Sequence, residues 1–122
     1  MKEAEFQTQV ISLARMYGWK IQHSRAVQTA SGRWMTPIAG DAGFPDLVLV
    51  KSNYDHNEKW HGRGGIIYAE LKTNIGKIQP HQLSWIDALE LAGAECYVWR
   101  PKDLASVTER LSGLRRHLKV AQ

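Results

Sequence analysis

Two short apolar runs, Leu47-Val48-Leu49-Val50 and Ile66-Ile67-Tyr68-Ala69, stand out from the chain as continuous β-branched or aliphatic stretches. Runs of this length and composition read as buried strands. Ahead of them, Phe6, Val10, Leu13, Ala14 and Tyr17 recur at helical spacing, predicting a helix over residues 3–17 with Gly18 as its stop. A first strand is expected over residues 19–27, with His23 and Arg25 on the face of Ile21. Beyond the two runs, Leu83, Ile86, Leu89 and Leu91 or Ala92 form a second helical stripe over residues 80–91, closed by Gly93. Residues 94–99 read as another strand stopped by Pro101. Asp103 is placed to N-cap a last helix with Leu104, Val107, Leu111, Leu114 and Leu118 as its stripe.

Two polar stretches separate these elements. Residues 28–43, bearing Gly32, Gly40 and Gly43, read as a long loop of the kind that is functional or mobile. Residues 51–65 read as the connection of a hairpin between the two apolar strands. The resulting order, α-β-loop-β-β-α-β-α, describes one α/β domain over residues 1–122, a central mixed β-sheet flanked by helices.

Composition narrows the picture. A single cysteine, Cys96, excludes an intramolecular disulfide and an intrachain thiolate cluster, and its place in a strand reads as a small core residue. There is no apolar stretch long enough to span a membrane, and the N-terminus carries acids where a signal peptide would be apolar. A cytoplasmic protein without a membrane partner is expected (host cytoplasm, if the chain is phage-encoded). The net charge of +4 is unevenly spread: residues 1–40 carry five Lys/Arg against two acids, residues 41–76 four against five, and residues 77–122 seven against five. An acidic centre between basic flanks suits a polyanionic partner, although a solvated surface with a slight basic excess has the same composition.

The acidic centre holds the candidate chemistry. Asp46 follows Pro45 and opens the first apolar strand; Glu70 and Lys72 close the second, 24 and 26 residues after Asp46. Side chains alternate along a strand, so Glu70 and Lys72 share a face, and Asp46 can meet them where the strands pair. Two carboxylates can hold a hard divalent cation, and a lysine beside them can orient an attacking water. That is the chemistry of metal-dependent phosphodiester cleavage. Oxygen-only ligands select Mg²⁺ or Mn²⁺ over zinc, and the five histidines, His23, His56, His61, His81 and His117, do not fall at zinc-ligand spacing. Glu3 lies on the stripe of Phe6 and Val10, where an acid must be satisfied or functional. Glu5 lies off it and is the competitor for that role, and simple complementation of the helix dipole is the alternative reading.

The order of Gly43-x-Pro45-Asp46, Glu70-x-Lys72 and Gln82-x-x-Trp85, behind a helix bearing Glu3 and ahead of Ala92-Gly93-Ala94-Glu95, resembles the VRR-NUC domain. That family is a branch of the PD-(D/E)xK nucleases, known as small stand-alone phage proteins and as parts of larger repair nucleases. The resemblance runs from Glu3 to Leu111. It implies a restriction-endonuclease-like core in the order α-β-β-β-α-β-α and an Mg²⁺- or Mn²⁺-dependent endodeoxyribonuclease acting on branched DNA such as four-way junctions or flaps. It further implies a Holliday junction resolvase-like homodimer whose two sites cut opposing strands. Carried over by position, it makes Asp46 and Glu70 the metal carboxylates, with the backbone carbonyl of Leu71 as a third ligand. Lys72 becomes the residue that positions the water, Glu3 the helix acid completing the metal shell directly or through water, and Gln82 the glutamine directed at the centre. No motif residue departs from the family pattern.

Two other readings compete: a nuclease fold that binds nucleic acid without cutting, and an interaction protein whose acids only form salt bridges. Trp19, Trp85 and Trp99 sit in or beside expected elements and read as core. Trp34 and Trp60 lie in the long polar stretches, beside Arg33 and Lys59, and are candidates for contact with unpaired bases or a partner chain. His23, Arg25, Arg33, Arg115, Arg116 and Lys119 are candidates for phosphate contacts; a hydrogen-bonded surface or a solvated helix end is the alternative for each.

Overall fold

The computed structural model describes residues 1–24, 27–28, 30–35 and 39–113. The described chain runs α1 (Glu3–Met16), β1 (Lys20–His23), β2 (Val27–Gln28), β3 (Trp34–Met35), β4 (Leu47–Lys51), β5 (Gly65–Leu71), α2 (Pro80–Leu91), β6 (Glu95–Trp99), a 3-10 turn (Pro101–Asp103) and α3 (Leu104–Ser112). Strands β1, β4, β5 and β6 form one sheet in that spatial order. The first three pair antiparallel, and β6 joins β5 in parallel after the crossover through α2. The α/β architecture with a mixed sheet is the one the apolar pattern predicts.

Alternation along the strands divides the sheet into two unlike faces. Leu47 and Leu49 of β4, with Ile67, Ala69 and Leu71 of β5, point to one side and are buried against Phe6, Val10 and Ala14 of α1 and Val107 and Leu111 of α3. Trp19 and Trp99 complete this core, and the Trp19 indole N–H donates to the Leu111 carbonyl at 2.9 Å. Fully burying side chains of this size stabilises by about 1.5–3 kcal/mol each, so the fold rests on this side.

The other side is covered only in part, by α2. Of the expected α2 stripe only Ile86 is buried, while Leu83 is half exposed and Leu91 lies 89% exposed. The helix packs over β6 and reaches Glu70 of β5 through Gln82, while Val50 of β4 and Ile66 of β5, on the same side, stay about half exposed. Trp85, expected in the core, is therefore half-buried on this side. Cys96, likewise expected in the core, points to the same side and is half-buried; burial, with Glu90 and Glu70 nearby, pushes its thiol up to about 11, so it stays protonated at ordinary pH.

Several boundaries shift. Strand β1 ends at His23, although the Ser24 N–H still donates to the Asp46 carbonyl at 3.2 Å. The expected loop over residues 28–43 contains a two-residue hairpin, Val27 opposite Met35 and Gln28 opposite Trp34, turned through Gly32 at φ +89°. A ladder this short has no apolar alternation to betray it. The hairpin connection over residues 51–65 forms as expected and carries a further bridge between Tyr54 and Trp60. Asp103 precedes α3, but its carboxylate turns back to accept the Arg100 N–H at 2.9 Å instead of capping α3. Helix α3 stops at Ser112, with Gly113 left-handed at φ +74°. The Leu114 and Leu118 part of the expected stripe lies outside the described residues.

Candidate active site

The antiparallel register of β4 and β5 sets Leu47 opposite Ala69. One step further puts Asp46 opposite Glu70, on the side of the sheet that α2 covers, where directly opposed Cβ atoms lie about 4.5–5.5 Å apart. The Asp46 Oδ2 accepts the Leu71 N–H at 2.8 Å, which fixes the aspartate at the end of β5. Two residues after Glu70 on the same face, the Lys72 Nζ stands 3.9 Å from Glu70 Oε2, and both side chains are largely shielded from solvent.

Glu70 is 2% exposed. Burial first, then the neighbouring negative charge of Asp46, push its carboxyl up to about 8; Lys72 pulls the other way, and Glu3 adds to the upward push. A buried acid and a half-buried one face each other here with one lysine to neutralise them.

Gln82 projects from the first turn of α2 and donates its Nε2 to Glu70 Oε2 at 2.9 Å. Its Oε1 accepts the Gln79 N–H at 2.9 Å as the reciprocal bond of a helix-capping box, so the amide oxygen is occupied and the amide nitrogen is left to face Glu70. Pro80 in the first turn suits the start of the helix. One glutamine thus both starts the helix and orients a candidate metal ligand.

The two N-terminal acids part company. Glu5 accepts the Lys2 N–H at 2.9 Å and closes the first turn of α1. Glu3, one residue into the helix and exposed, lies within electrostatic range of Glu70. Among the described residues no three His, Cys, Asp or Glu side chains converge on one metal-sized point, so Glu3 stands off from the Asp46–Glu70 pair.

Residues that the sequence reading assigned to the core, or passed over, hold this arrangement in place. Phe44, next to buried Pro45, meets Trp85 edge-to-face at 5.0 Å and Tyr68 at 6.0 Å, and the Trp85 indole donates to the Asp41 carbonyl at 3.1 Å. Gly43 passes so close to α2 that a Cβ there would sit 2.4 Å from the His81 carbonyl oxygen, and its φ of +98° also favours glycine. The segment leading into Asp46 is thereby fastened to the helix that carries Gln82. The Gly43-x-Pro45-Asp46 and Gln82-x-x-Trp85 spacings are the only sequence signal of this; the contacts themselves join residues about 40 positions apart.

The candidate nucleic-acid residues are scattered. His23 is half-buried and pairs with Leu47, so alternation puts it on the α1 side of the sheet, away from Glu70. Arg33 lies exposed in the β2–β3 turn, and Trp34 falls in β3. Trp60 is exposed in the β4–β5 connection, edge-to-face with Tyr54 at 5.2 Å, at the end of the sheet opposite Asp46. Arg25, Arg115, Arg116 and Lys119 lie outside the described residues. Among the described residues no helix is long and apolar enough to cross a membrane.

A family model for the VRR-NUC domain matches residues 20–103, a span that holds Asp46, Glu70, Lys72 and Gln82 and begins after Glu3. A solved structure described as a VRR_NUC domain protein superposes with a TM-score of 0.58 at 21% identity, covering 91% of this chain and 88% of that one, a likeness of fold. No curated protein matches the chain.

Proposed function

The chain belongs to the VRR-NUC family, a nuclease domain of the PD-(D/E)xK type, and we propose that it is a divalent-metal-dependent DNA endonuclease centred on Asp46, Glu70 and Lys72. The observation that carries this reading is Asp46 facing Glu70 across the β4–β5 ladder, with Lys72 3.9 Å from Glu70. A pair of hard oxygen donors, with Glu70 buried and pushed up to about 8 and Asp46 half-buried, fits a divalent cation better than a solitary lysine. Asp46 and Glu70 are the side-chain ligands, the Leu71 carbonyl a third, and Glu3 contributes through water. When bound, Mg²⁺ or Mn²⁺ polarises the phosphoryl group and lowers the pKa of water at the site.

The protein's own groups do the rest. Lys72 holds the attacking water and offers charge to the phosphate oxygens. Gln82 keeps Glu70 turned toward the centre, and the Leu71 N–H does the same for Asp46. Branched DNA, cut by two copies of the chain acting on opposing strands, is the substrate in this reading, since each chain carries one such site. The test is cleavage of linear, flapped and four-way DNA with Mg²⁺, Mn²⁺ or EDTA. The expected result is metal-dependent cutting that favours the branched forms. Intact DNA in every metal-containing lane would overturn the assignment.

A further inference from the structure

Immediately after Lys72, the chain makes a four-residue turn, Thr73-Asn74-Ile75-Gly76, closed by a Gly76 N–H to Thr73 carbonyl bond of 3.3 Å. Ile75 stands at its tip, 90% exposed. Exposed turns tend to be loosely held, but this one is fastened on both sides. Arg100 donates from Nη1 to the Thr73 carbonyl and to the Gly76 carbonyl, each at 2.7 Å. The Asn74 side chain accepts the Lys102 N–H at 2.9 Å. Gly76 lies against the stem of the candidate catalytic lysine: a Cβ there would be 3.6 Å from Lys72 Cδ and 3.0 Å from Thr73 Oγ1.

A rigid turn therefore presents an unburied aliphatic tip three residues after Lys72. Exposed lysines lie near it in the chain and in space: Lys77 follows the turn, Lys102 is bonded to it through its backbone N–H, and Lys2, with Glu5, lines the groove that runs from Ile75 to the start of α1. An apolar point with three exposed lysines nearby and one acid, Glu5, matches a nucleic acid in which a base step is open to insertion while the flanking phosphates need counter-charge.

We propose that Ile75 is a wedge that enters an unstacked base step beside the scissile phosphate and so makes the site selective for branch points. This rests on the nuclease reading above and adds to it the group that recognises the branch. In a continuous duplex, insertion requires unstacking, which costs a few kcal/mol per step; at a junction or flap the step is already broken. The same wedge therefore favours branched over linear DNA without reading sequence. Arg100 acts as a positioning residue, keeping the tip and Lys72 in fixed relation.

Two measurements on the full chain separate this proposal from the nuclease reading. In Ca²⁺, which supports binding without cutting, four-way DNA carries 2-aminopurine at each position flanking the branch. The wild-type protein should raise its fluorescence severalfold, Ile75→Ser should not, and Ile75→Phe should restore the rise. In Mn²⁺, Ile75→Ser should lower the branched-to-linear cleavage ratio at least tenfold while cutting of linear DNA persists. Absence of a fluorescence rise with the wild type, or an unchanged ratio in Ile75→Ser, would overturn the wedge and leave the nuclease assignment standing. A protein that cuts nothing yet unstacks the branch through Ile75 would overturn the nuclease reading and keep the wedge. A shift of oligomeric state in Ile75→Ser with fluorescence unchanged would assign the tip to a protein contact and also overturn the proposal. Ile75 makes no part of the core, so these variants retain the fold.

Discussion

Glu70 and Glu95 sit on neighbouring strands of one sheet, each with a cation in reach, and their environments are opposite. Glu95 opens β6 on the α1–α3 side. Burial alone would raise its carboxyl, but two bonds from Arg110 and a 2.6 Å bond from the Tyr97 hydroxyl hold it below its ordinary value. Arg110 is buried in turn, also donates to the carbonyls of Arg63 and Gly64, and stacks over Trp19 at 5.2 Å. Every charge there has its partner. Glu70, on the opposite side, faces a second acid and a lysine 3.9 Å away, and is pushed up instead of down. A closed ion pair ties three elements together; an acid pair short of positive charge is a place prepared for something to arrive. The contrast separates a structural carboxylate from the one that the proposed function assigns to the site, without reference to sequence motifs.

The strongest test of that contrast replaces the acids at the open end. Asp46→Asn, Glu70→Gln and Lys72→Ala should each lower DNA cleavage by a factor on the order of 10³, the loss of several kcal/mol of transition-state stabilisation. Glu70→Gln should also raise the melting temperature of the metal-free protein, because a buried acid facing another acid is replaced by a neutral isostere. Calorimetry and a cleavage assay on the same preparations check both. A Glu70→Gln protein that cuts normally, or that melts well below wild type, would erase the distinction from Glu95.

At the closed end the signs reverse. Arg110→Met or Glu95→Ala breaks a buried pair and should destabilise by about 3–5 kcal/mol, while the protein that remains folded cuts DNA as before. The pH dependence follows from the direction of the Glu95 shift. Its folded-state carboxyl lies below the ordinary 4.5, so its contribution is complete above pH 4.5 and is lost as pH falls through the lower folded value. Urea titrations from pH 6 to pH 3 should show wild type losing more stability than Glu95→Ala over that acid range.

The open end was legible in the sequence and the closed end was not, for a physical reason. Strand pairing is declared by local apolar runs, and a one-residue register error would have turned Leu47, Leu49, Ile67 and Ala69 away from the core. The facing of Asp46 and Glu70 follows from that register, whereas Gln82 was marked only by the family resemblance, on a helix whose start the sequence does show. Arg110 and Glu95 are 15 residues apart on different elements, and Arg110 reaches Arg63 and Gly64 across 46 or more positions, with no motif announcing either link. The same holds for Arg100 and Trp85, which fasten the turns around the site through backbone carbonyls that any residue could supply. The β2–β3 hairpin was hidden because two residues per strand leave no period to detect.

A divalent ion should act on one end only. If Asp46 and Glu70 bind it, Mg²⁺ or Mn²⁺ at about a hundred times its dissociation constant stabilises the folded protein by about 2.7 kcal/mol. Thermal denaturation with and without metal reads this directly. The shift should vanish in Asp46→Asn and survive in Glu95→Gln, once each is compared with its own metal-free baseline. Equal shifts in both variants would mean that the ion binds elsewhere.

The smallest effect concerns α1, whose two acids divide the same two roles within three residues. Helical phase alone favoured Glu3 for the site and left Glu5 open. In the structure Glu5 is engaged by the Lys2 N–H, whereas Glu3 contributes to the field at Glu70 without converging on it. A residue acting through water on a metal shell contributes about ten- to a hundredfold, and Glu3 at its distance belongs at the lower limit. Glu3→Gln should therefore slow cleavage about tenfold and weaken metal binding with little change in melting temperature. Glu5→Ala should do the reverse, cutting normally while losing about 0.3–1 kcal/mol from the helix start. Paired melting and cleavage measurements on the two variants decide it. If Glu5→Ala abolished the metal-induced rise in melting temperature, the capping bond from Lys2 would have to open on metal binding, and α1 would present its other acid to the site.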